Sequence, residues 1–172
     1  EFGLFHQKIV NGFQFEEPDR WLNNGDPWSV TRQNLRFKIR FYGRLVRQGE
    51  KSVWEDTLDI TAIPHDVLVP GFKNNMVNAL RLWTSTAPEQ FDLEFFNDGD
   101  YMRAWERIVA GENISKVLYP RDDKVQGKEL RLKQEYFFAS ASIQDILRRH
   151  LRDYPNLDNL AEKVAIQLND TH

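Results

Sequence analysis

With 172 residues, 41% of them hydrophobic, the chain suits one domain or part of a larger one, and five Trp with twelve Phe can fill a core. Lys and Arg number 23 against 26 Asp and Glu, a net charge of −3, so no bulk attraction to nucleic acid or an anionic membrane is expected. The absence of cysteine excludes a disulfide framework, a thiolate metal site and a thiol nucleophile, and no apolar run approaches a membrane span.

Residues 1–34 read as short and irregular. Phe2, Leu4 and Phe5 are expected to pack, and Glu16 to Trp28, with Pro18, Asn23-Asn24-Gly25, Pro27 and two Trp, reads as turns with aromatic anchors. Leu35 to Val46 alternates: Leu35, Phe37, Ile39 and Phe41 share one face, and Arg36, Lys38, Arg40 and Tyr42 the other. This predicts a half-buried strand. Gln48-Gly49-Glu50 is a turn. Val53 to Ile63 returns as a second strand with Trp54, Leu58, Ile60 and Ala62 on one side, broken by Pro64 and again at Pro70-Gly71. Val77 to Thr84 is a third strand, with Arg81 as its only charge. Asp100 is placed to cap a helix from Tyr101 to about Val109, stopped by Gly111, with Met102, Trp105, Ile108 and Val109 available for packing. Ile114 to Tyr119 is short and apolar.

The longest predicted element is a helix from Lys128 to Leu151, which contains no Pro or Gly. Leu132, Tyr136, Ala139, Ile143, Ile146 and His150 recur in steps of three and four along one face, and Leu130, Phe137, Ala141 and Leu147 form a second stripe. Two stripes predict a central helix, apolar nearly all round, and at ~1.5 Å per residue it would span about 36 Å. A polar connector, Asp153 to Asn159, leads to Val164-Ala-Ile-Gln-Leu168, a short buried-strand pattern. The expectation is an α/β fold, strand-rich in its first half, then a long central helix and a buried strand. Both ends read as cut, so residues 1–172 are expected to be one incomplete domain.

Three groups of residues could carry chemistry. The loop Arg121-Asp122-Asp123-Lys124 is a solvated turn or a gate whose carboxylates accept hydrogen bonds from a polar ligand. Asp170 and His172 follow a strand at i and i+2, where α/β folds bind ligands, or they form a surface turn. Arg32, Arg81, Arg148 and Arg149 are scattered, and no spacing joins them. Arg148 and Arg149 suit the negative end of the long helix. His6, His65 and His150 have no ligand spacing and read as structural, and no metal, Walker or Rossmann pattern is present. Arg36 to Arg44 interleaves basic and aromatic residues, as a single-stranded nucleic-acid-binding strand would. Phe37, Ile39 and Phe41 alternate with the charges, however, and are expected to face a core, so no nucleic-acid partner is expected.

Several longer stretches resemble one family. Glu1-Phe-Gly-Leu-Phe5, Gly25-Asp-Pro-Trp28, Leu80-Arg-Leu-Trp83, Phe96-Asn-Asp-Gly-Asp100, Glu112-Asn-Ile-Ser115, Tyr119-Pro120, Gly127 to Phe137, Ser142 to Arg149 and Val164 to His172 look like the α-glucan (glycogen, starch, maltodextrin) phosphorylases, in family order over essentially the whole chain. The resemblance is to an internal fragment of the family's N-terminal half. It implies part of the N-terminal domain of a two-domain, GT-B-like glycosyltransferase fold. It also implies phosphorolysis of α-1,4-glucan by inorganic phosphate to glucose 1-phosphate, in a cytoplasmic homodimer. The family uses the phosphate of pyridoxal 5'-phosphate as a proton relay, and the cofactor's lysine lies outside these residues, so the isolated chain is expected to be inactive.

Residue by residue, the resemblance implies a substrate pocket touched by Asp122, Asp123, Arg131, Asp170 and His172. It implies effector-like roles for Arg32, Arg81, Arg148 and Arg149, and a dimer contact at Tyr101 and Trp105. Arg121 and Asp123 stand where asparagines are usual, and Lys124 where animal enzymes carry an aromatic. The segment Leu151 to Lys163 is shorter than in the regulated animal enzymes, so AMP-type activation is not expected. A non-catalytic glucan-binding scaffold using exposed Trp residues is the alternative.

Overall fold

The computed structural model describes residues 5–19, 23, 25–87, 101–116 and 123–168. Among the described residues eight strands precede three helices: β1 (Phe5–Val10), β2 (Phe13–Pro18), β3 (Ser29–Thr31), β4 (Phe37–Phe41), β5 (Arg44–Gln48), β6 (Lys51–Glu55), β7 (Leu58–Pro70), β8 (Val77–Thr86), α1 (Tyr101–Lys116), α2 (Val125–Asp153) and α3 (Leu160–Lys163). β7 is the spine of a four-stranded antiparallel sheet, with β3 and β4 along one edge and β8 along the other. Two hairpins, β1–β2 and β5–β6, form separate two-stranded sheets.

The first 34 residues are more regular than expected. β1 and β2 pair antiparallel from Phe5↔Pro18 to Val10↔Phe13. Asn11 and Gly12 both take positive φ, 53° and 85°, the turn geometry that matches strand twist. The Asn-Gly pair between two extended runs is the sequence signal for this hairpin. Trp28 is 78% exposed and anchors nothing, while Phe2, Leu4 and Trp21 lie outside the described residues.

β4 shows the expected alternation, with Phe37, Ile39 and Phe41 buried and Lys38 and Arg40 exposed. It ends at Phe41 rather than Val46, because Tyr42 (φ 59°) and Gly43 (φ 75°) are left-handed and turn the chain into the β5–β6 hairpin. Gly49 sits in the turn between those two strands, as expected. Another left-handed residue, Asp56 (φ 56°), splits the predicted return strand, so Trp54 lies in the small sheet, apart from Leu58, Ile60 and Ala62.

Pro64 does not break β7. It lies opposite Trp83 in the β8 register, and its carbonyl accepts from the Arg32 N–H at 2.9 Å on the other edge. A strand residue points its N–H and C=O to the same side, so the missing donor falls in the gap between β4, which pairs as far as Ala62, and β3, which starts pairing at His65.

The core lies between the sheet and the helices: Phe37, Ile39, Phe41, Ile60, Ala62 and Trp83 meet Ile114 of α1 and Phe137 and Ala141 of α2. Phe37 packs edge-on to Trp83 with centroids 5.4 Å apart, and Phe41 to Tyr136 at 5.2 Å. α1 runs through Gly111, which is buried; a Cβ there would lie 3.3 Å from Cδ1 of Ile60. Gly111 thus serves close helix–sheet packing and stops nothing. Ser85 and Ser115 fasten this contact, with the Ser85 N–H donating to Ser115 Oγ at 2.8 Å and the Ser115 N–H to Ser85 Oγ at 3.1 Å.

α2 is the long helix the sequence predicts, but it runs 29 residues from Val125 through Gly127 to Asp153 rather than from Lys128 to Leu151, and it is not packed all round. Its buried residues are Gln134, Phe137, Ala141, Asp145 and His150, whereas Leu132, Tyr136 and Ile143 of the first stripe are exposed. Among the described residues the sheet and α1 cover one side of it, and that side follows the second stripe. Val164 to Leu168 is not a buried strand: it has no regular structure, and Ile166 and Leu168 are exposed, because no strand pairs with it among the described residues. Among the described residues no helix is long and apolar enough to cross a membrane.

The turn glycines separate two costs. At Gly43 an added Cβ would collide with the backbone carbonyl of Glu55 as well as strain φ, while at Gly49 it would meet nothing within 4 Å. Gly43→Ala should therefore destabilise the protein by about 3 kcal/mol and Gly49→Ala by about 1 kcal/mol in urea unfolding. Equal effects would refute the close approach at Gly43.

Candidate functional site

The alternation that buries Ile60 and Ala62 continues along β7 to Asp66, and the register sets Arg81 of β8 opposite it. Asp66 is 2% exposed, so its carboxylate needs partners. Arg81 supplies a fork, Nε to Oδ1 at 2.7 Å and Nη2 to Oδ2 at 2.8 Å, and Arg32, just past β3, donates from Nε to Oδ2 at 2.8 Å.

The third arm of Arg81 reaches the helix layer. Its Nη1 donates to Oδ2 of Asp145 on α2 at 2.6 Å. Asp145 is 1% exposed and lies four residues beyond Ala141 on the buried side of the helix. Arg148 donates to Asp145 Oδ1 at 2.8 Å from Nη2, and Arg149 approaches Oδ2 at 3.1 Å from Nε. Beside this joint, Trp83 Nε1 donates to Ser142 Oγ at 3.0 Å. Four arginines with no common spacing thus converge on two buried carboxylates, and the six formal charges sum to a positive excess. Arg81 is largely enclosed, whereas Arg148 and Arg149 keep much of their side chains in solvent.

The Arg81 fork holds the Asp66 carboxyl at about 2, against the opposing effect of burial and with help from Arg32. The same hydrogen bonds, donated to Asp66, with the charge of Asp145, hold the Arg81 guanidinium above its usual range against desolvation. Periodicity along the chain points to the arginines only as scattered positives, and it misses Asp66 and Asp145. The available signal was parity: a carboxylate at a core-facing strand position and another four residues past Ala141 must each find a cation.

The other expected site residues separate. Asp123 is exposed, just before α2. Arg131 is half-buried in the first turns of α2, with Glu135 one turn on at 3.6 Å. Asp122, Asp170 and His172 lie outside the described residues, as do the side chains of Tyr101 and Trp105, although both residues belong to α1. His65 bridges Thr31 Oγ1 (3.0 Å) and Thr84 Oγ1 (2.8 Å) across three strands, and His150 stacks on Tyr154 and bonds the Asn156 carbonyl at 3.0 Å. Both are structural. No cluster that could hold a metal ion occurs among the described residues.

Because the folded pKa of Asp66 lies below its unfolded value of ~3.9, its ionised form stabilises the fold above pH ~4, and that contribution disappears as pH falls toward ~2. It amounts to about 2 kcal/mol. Urea midpoints measured from pH 5 to 2 should fall, and less steeply in Asp66→Asn. Arg81→Ala removes the enclosed partner of both buried carboxylates, leaving them only the more exposed arginines, and should cost about 3–5 kcal/mol, whereas Arg149→Ala, at an exposed position, should cost under about 1 kcal/mol.

Comparison with known proteins gives one family throughout. The carbohydrate phosphorylase family profile matches residues 1–172. The chain is 51% identical over 172 residues to the glycogen phosphorylase of Haemophilus influenzae, and 49% over 177 residues to that of Chlamydia pneumoniae. It is 48% identical over 180 residues to the muscle form of glycogen phosphorylase from Oryctolagus cuniculus. All of this chain is aligned each time, but it spans only 21%, 22% and 21% of those proteins.

Proposed function

Because the chain belongs to the carbohydrate phosphorylase family, we propose that it is an internal part of a glycogen or α-glucan phosphorylase, from the N-terminal domain of a two-domain, GT-B-like enzyme. The whole protein would cleave a terminal α-1,4-linked glucosyl unit of glucan with inorganic phosphate, giving glucose 1-phosphate. The observation that carries this reading is 51% identity over the entire chain to a protein named glycogen phosphorylase. The mixed strand and helix architecture agrees with it.

In this reading the chain contributes recognition. Asp122 and Asp123 on the loop before α2, with Asp170 and His172 past Leu168, accept hydrogen bonds from glucosyl hydroxyls and orient the sugar. Arg131 supplies a fixed positive charge at the start of α2, and its place beside Glu135 supports that role. Tyr101 and Trp105 contribute to a homodimer contact along α1, which also exposes Met102 and Val109. Arg148 and Arg149, exposed at the rim of the Asp145 network, serve as an effector-like anion patch together with Arg32 and Arg81. Nucleotide activation is not part of this role, because the connector after α2 is short. The cysteine-free composition supports a cytoplasmic setting.

Pyridoxal 5'-phosphate would supply a phosphate group that relays a proton to inorganic phosphate. Lys133 does not fit the role of its lysine. The half-buried Lys133 has its charge held on: burial opposes this, but hydrogen bonds to Glu129 and Tyr42 outweigh burial and raise its pKa. A lysine that condenses with a carbonyl needs the opposite shift. The cofactor's lysine is assigned outside this chain.

The glucan-binding scaffold remains the second reading, favoured by the exposure of Trp28. The nucleic-acid alternative loses its stacking surface, since Phe37, Ile39 and Phe41 are buried.

The protein that contains this chain should release glucose 1-phosphate from glycogen and inorganic phosphate in a coupled assay. The isolated 172 residues should release none, and no single lysine should be labelled stoichiometrically by pyridoxal phosphate and borohydride. Turnover by the isolated chain would overturn the division of labour proposed here. Failure of the whole protein to phosphorolyse any α-1,4-glucan, with maltoheptaose quenching its tryptophan fluorescence, would favour the scaffold.

A further inference from the structure

β4 stands at the outer edge of the four-stranded sheet, paired with β7 on one side. On the other side Gln144 of α2 donates from Nε2 to the Lys38 carbonyl at 3.1 Å. α2 therefore approaches the open edge of β4. The left-handed turn at Tyr42-Gly43 then swings the β5–β6 hairpin across the end of the same groove, where Trp54 is fixed by donating Nε1 to the Tyr42 carbonyl at 2.6 Å. A cleft of about 340 Å³ results, lined by Lys38, Arg40, Trp54, Tyr136, Ser140 and Gln144. It shares no residue with the arginine–aspartate network or with the loops assigned to glucan.

The lining is unusual for an ordinary surface groove in combining three chemistries. Lys38 and Arg40 bring two cations. The nearby carboxylate, Asp59, is bonded to Lys38 at 2.8 Å but meets Arg40 Nε only at 4.0 Å, beyond hydrogen-bond range, so a positive excess remains at Arg40. Trp54 and Tyr136 bring aromatic surface suited to the C–H face of a sugar ring. Ser140 and Gln144 bring a hydroxyl and an amide, which both donate and accept, as sugar hydroxyls require. The size sits at the low end for small-molecule pockets, roughly 300–1,000 Å³. We propose that this cleft binds a small anionic monosaccharide, a sugar phosphate or sugar acid, with the anion at Arg40 and Lys38 and the ring against Trp54 and Tyr136.

Calorimetric titration of the intact protein tests it with four probes: ribose 5-phosphate, glucuronate, ribose and inorganic phosphate. At least one charged sugar should bind about tenfold or more tightly than both ribose and phosphate, and the better of the two identifies phosphate or carboxylate as the anion. Arg40→Gln, which changes an exposed side chain, and Ser140→Phe, which fills the cleft, should each weaken that binding by about tenfold or more. Thermal melts decide which variant is counted, and one that melts like the parent is sufficient. Charged sugars binding no better than ribose and phosphate would overturn the proposal. So would undiminished affinity in a folded variant, or a loss of binding in Arg149→Gln instead, which would move the site to the arginine network.

Discussion

The architecture depends on the bond that Arg81 makes in two directions at once. Asp66 belongs to the sheet and Asp145 to the helix layer, and both are withdrawn from water. Either carboxylate alone would be costly to bury; an isolated charge in such a place neutralises or finds a partner. One guanidinium satisfies both, because its planar fork engages Asp66 with two nitrogens and leaves the third for Asp145. This geometry fixes the spacing of α2 over β7 and β8. The aromatic contacts of Phe37, Trp83, Phe41 and Tyr136 add apolar burial to a layer distance that the charges define.

Beside that joint, three left-handed interruptions decide how the first half of the chain is distributed. Asn11-Gly12 closes one hairpin, Tyr42-Gly43 ends β4, and Asp56 returns the chain to β7. Without the latter two, β4–β5 and β6–β7 would be two long strands and Trp54 would share a face with Ile60. With them, Trp54 is carried to the edge of β4 opposite Tyr136. A local backbone preference thus creates a lined groove, and the same alternation that fills the core with Phe37, Ile39 and Phe41 directs Lys38 and Arg40 away from it.

Family membership and local geometry speak to different questions. The whole-chain match to glycogen phosphorylases identifies the relatives, but the chain spans only 21% of the Haemophilus protein. What these residues supply by themselves is a scaffold: a sheet, a long helix fastened to it, and polar side chains at the helix start and at its far end. Arg131 and the pair Arg148 and Arg149 sit at opposite ends of α2, about four to five turns apart, so a single rigid helix joins the region assigned to sugar with the region assigned to effector anions.

The sequence by itself determined the pieces set by local periodicity: the alternation of β4, most of β8, the existence of α2 and most of its length, and, through long matching stretches, the family. It could also have disclosed the Asn11-Gly12 hairpin. Only the tertiary structure decided which side of α2 is covered, since Leu132 and Phe137 are equally apolar and what separates them is the position of the sheet. It also decided that β7 passes through Pro64, because the tolerance depends on a gap between two other strands, and that Gly111 packs rather than stops a helix, because Ile60 lies beside it. The convergence of Arg32, Arg81, Arg148 and Arg149 on Asp66 and Asp145 is likewise tertiary. Its longest link joins residues 64 apart in sequence, and a pairing at that separation is fixed by register and layer packing, which no window of neighbouring residues records.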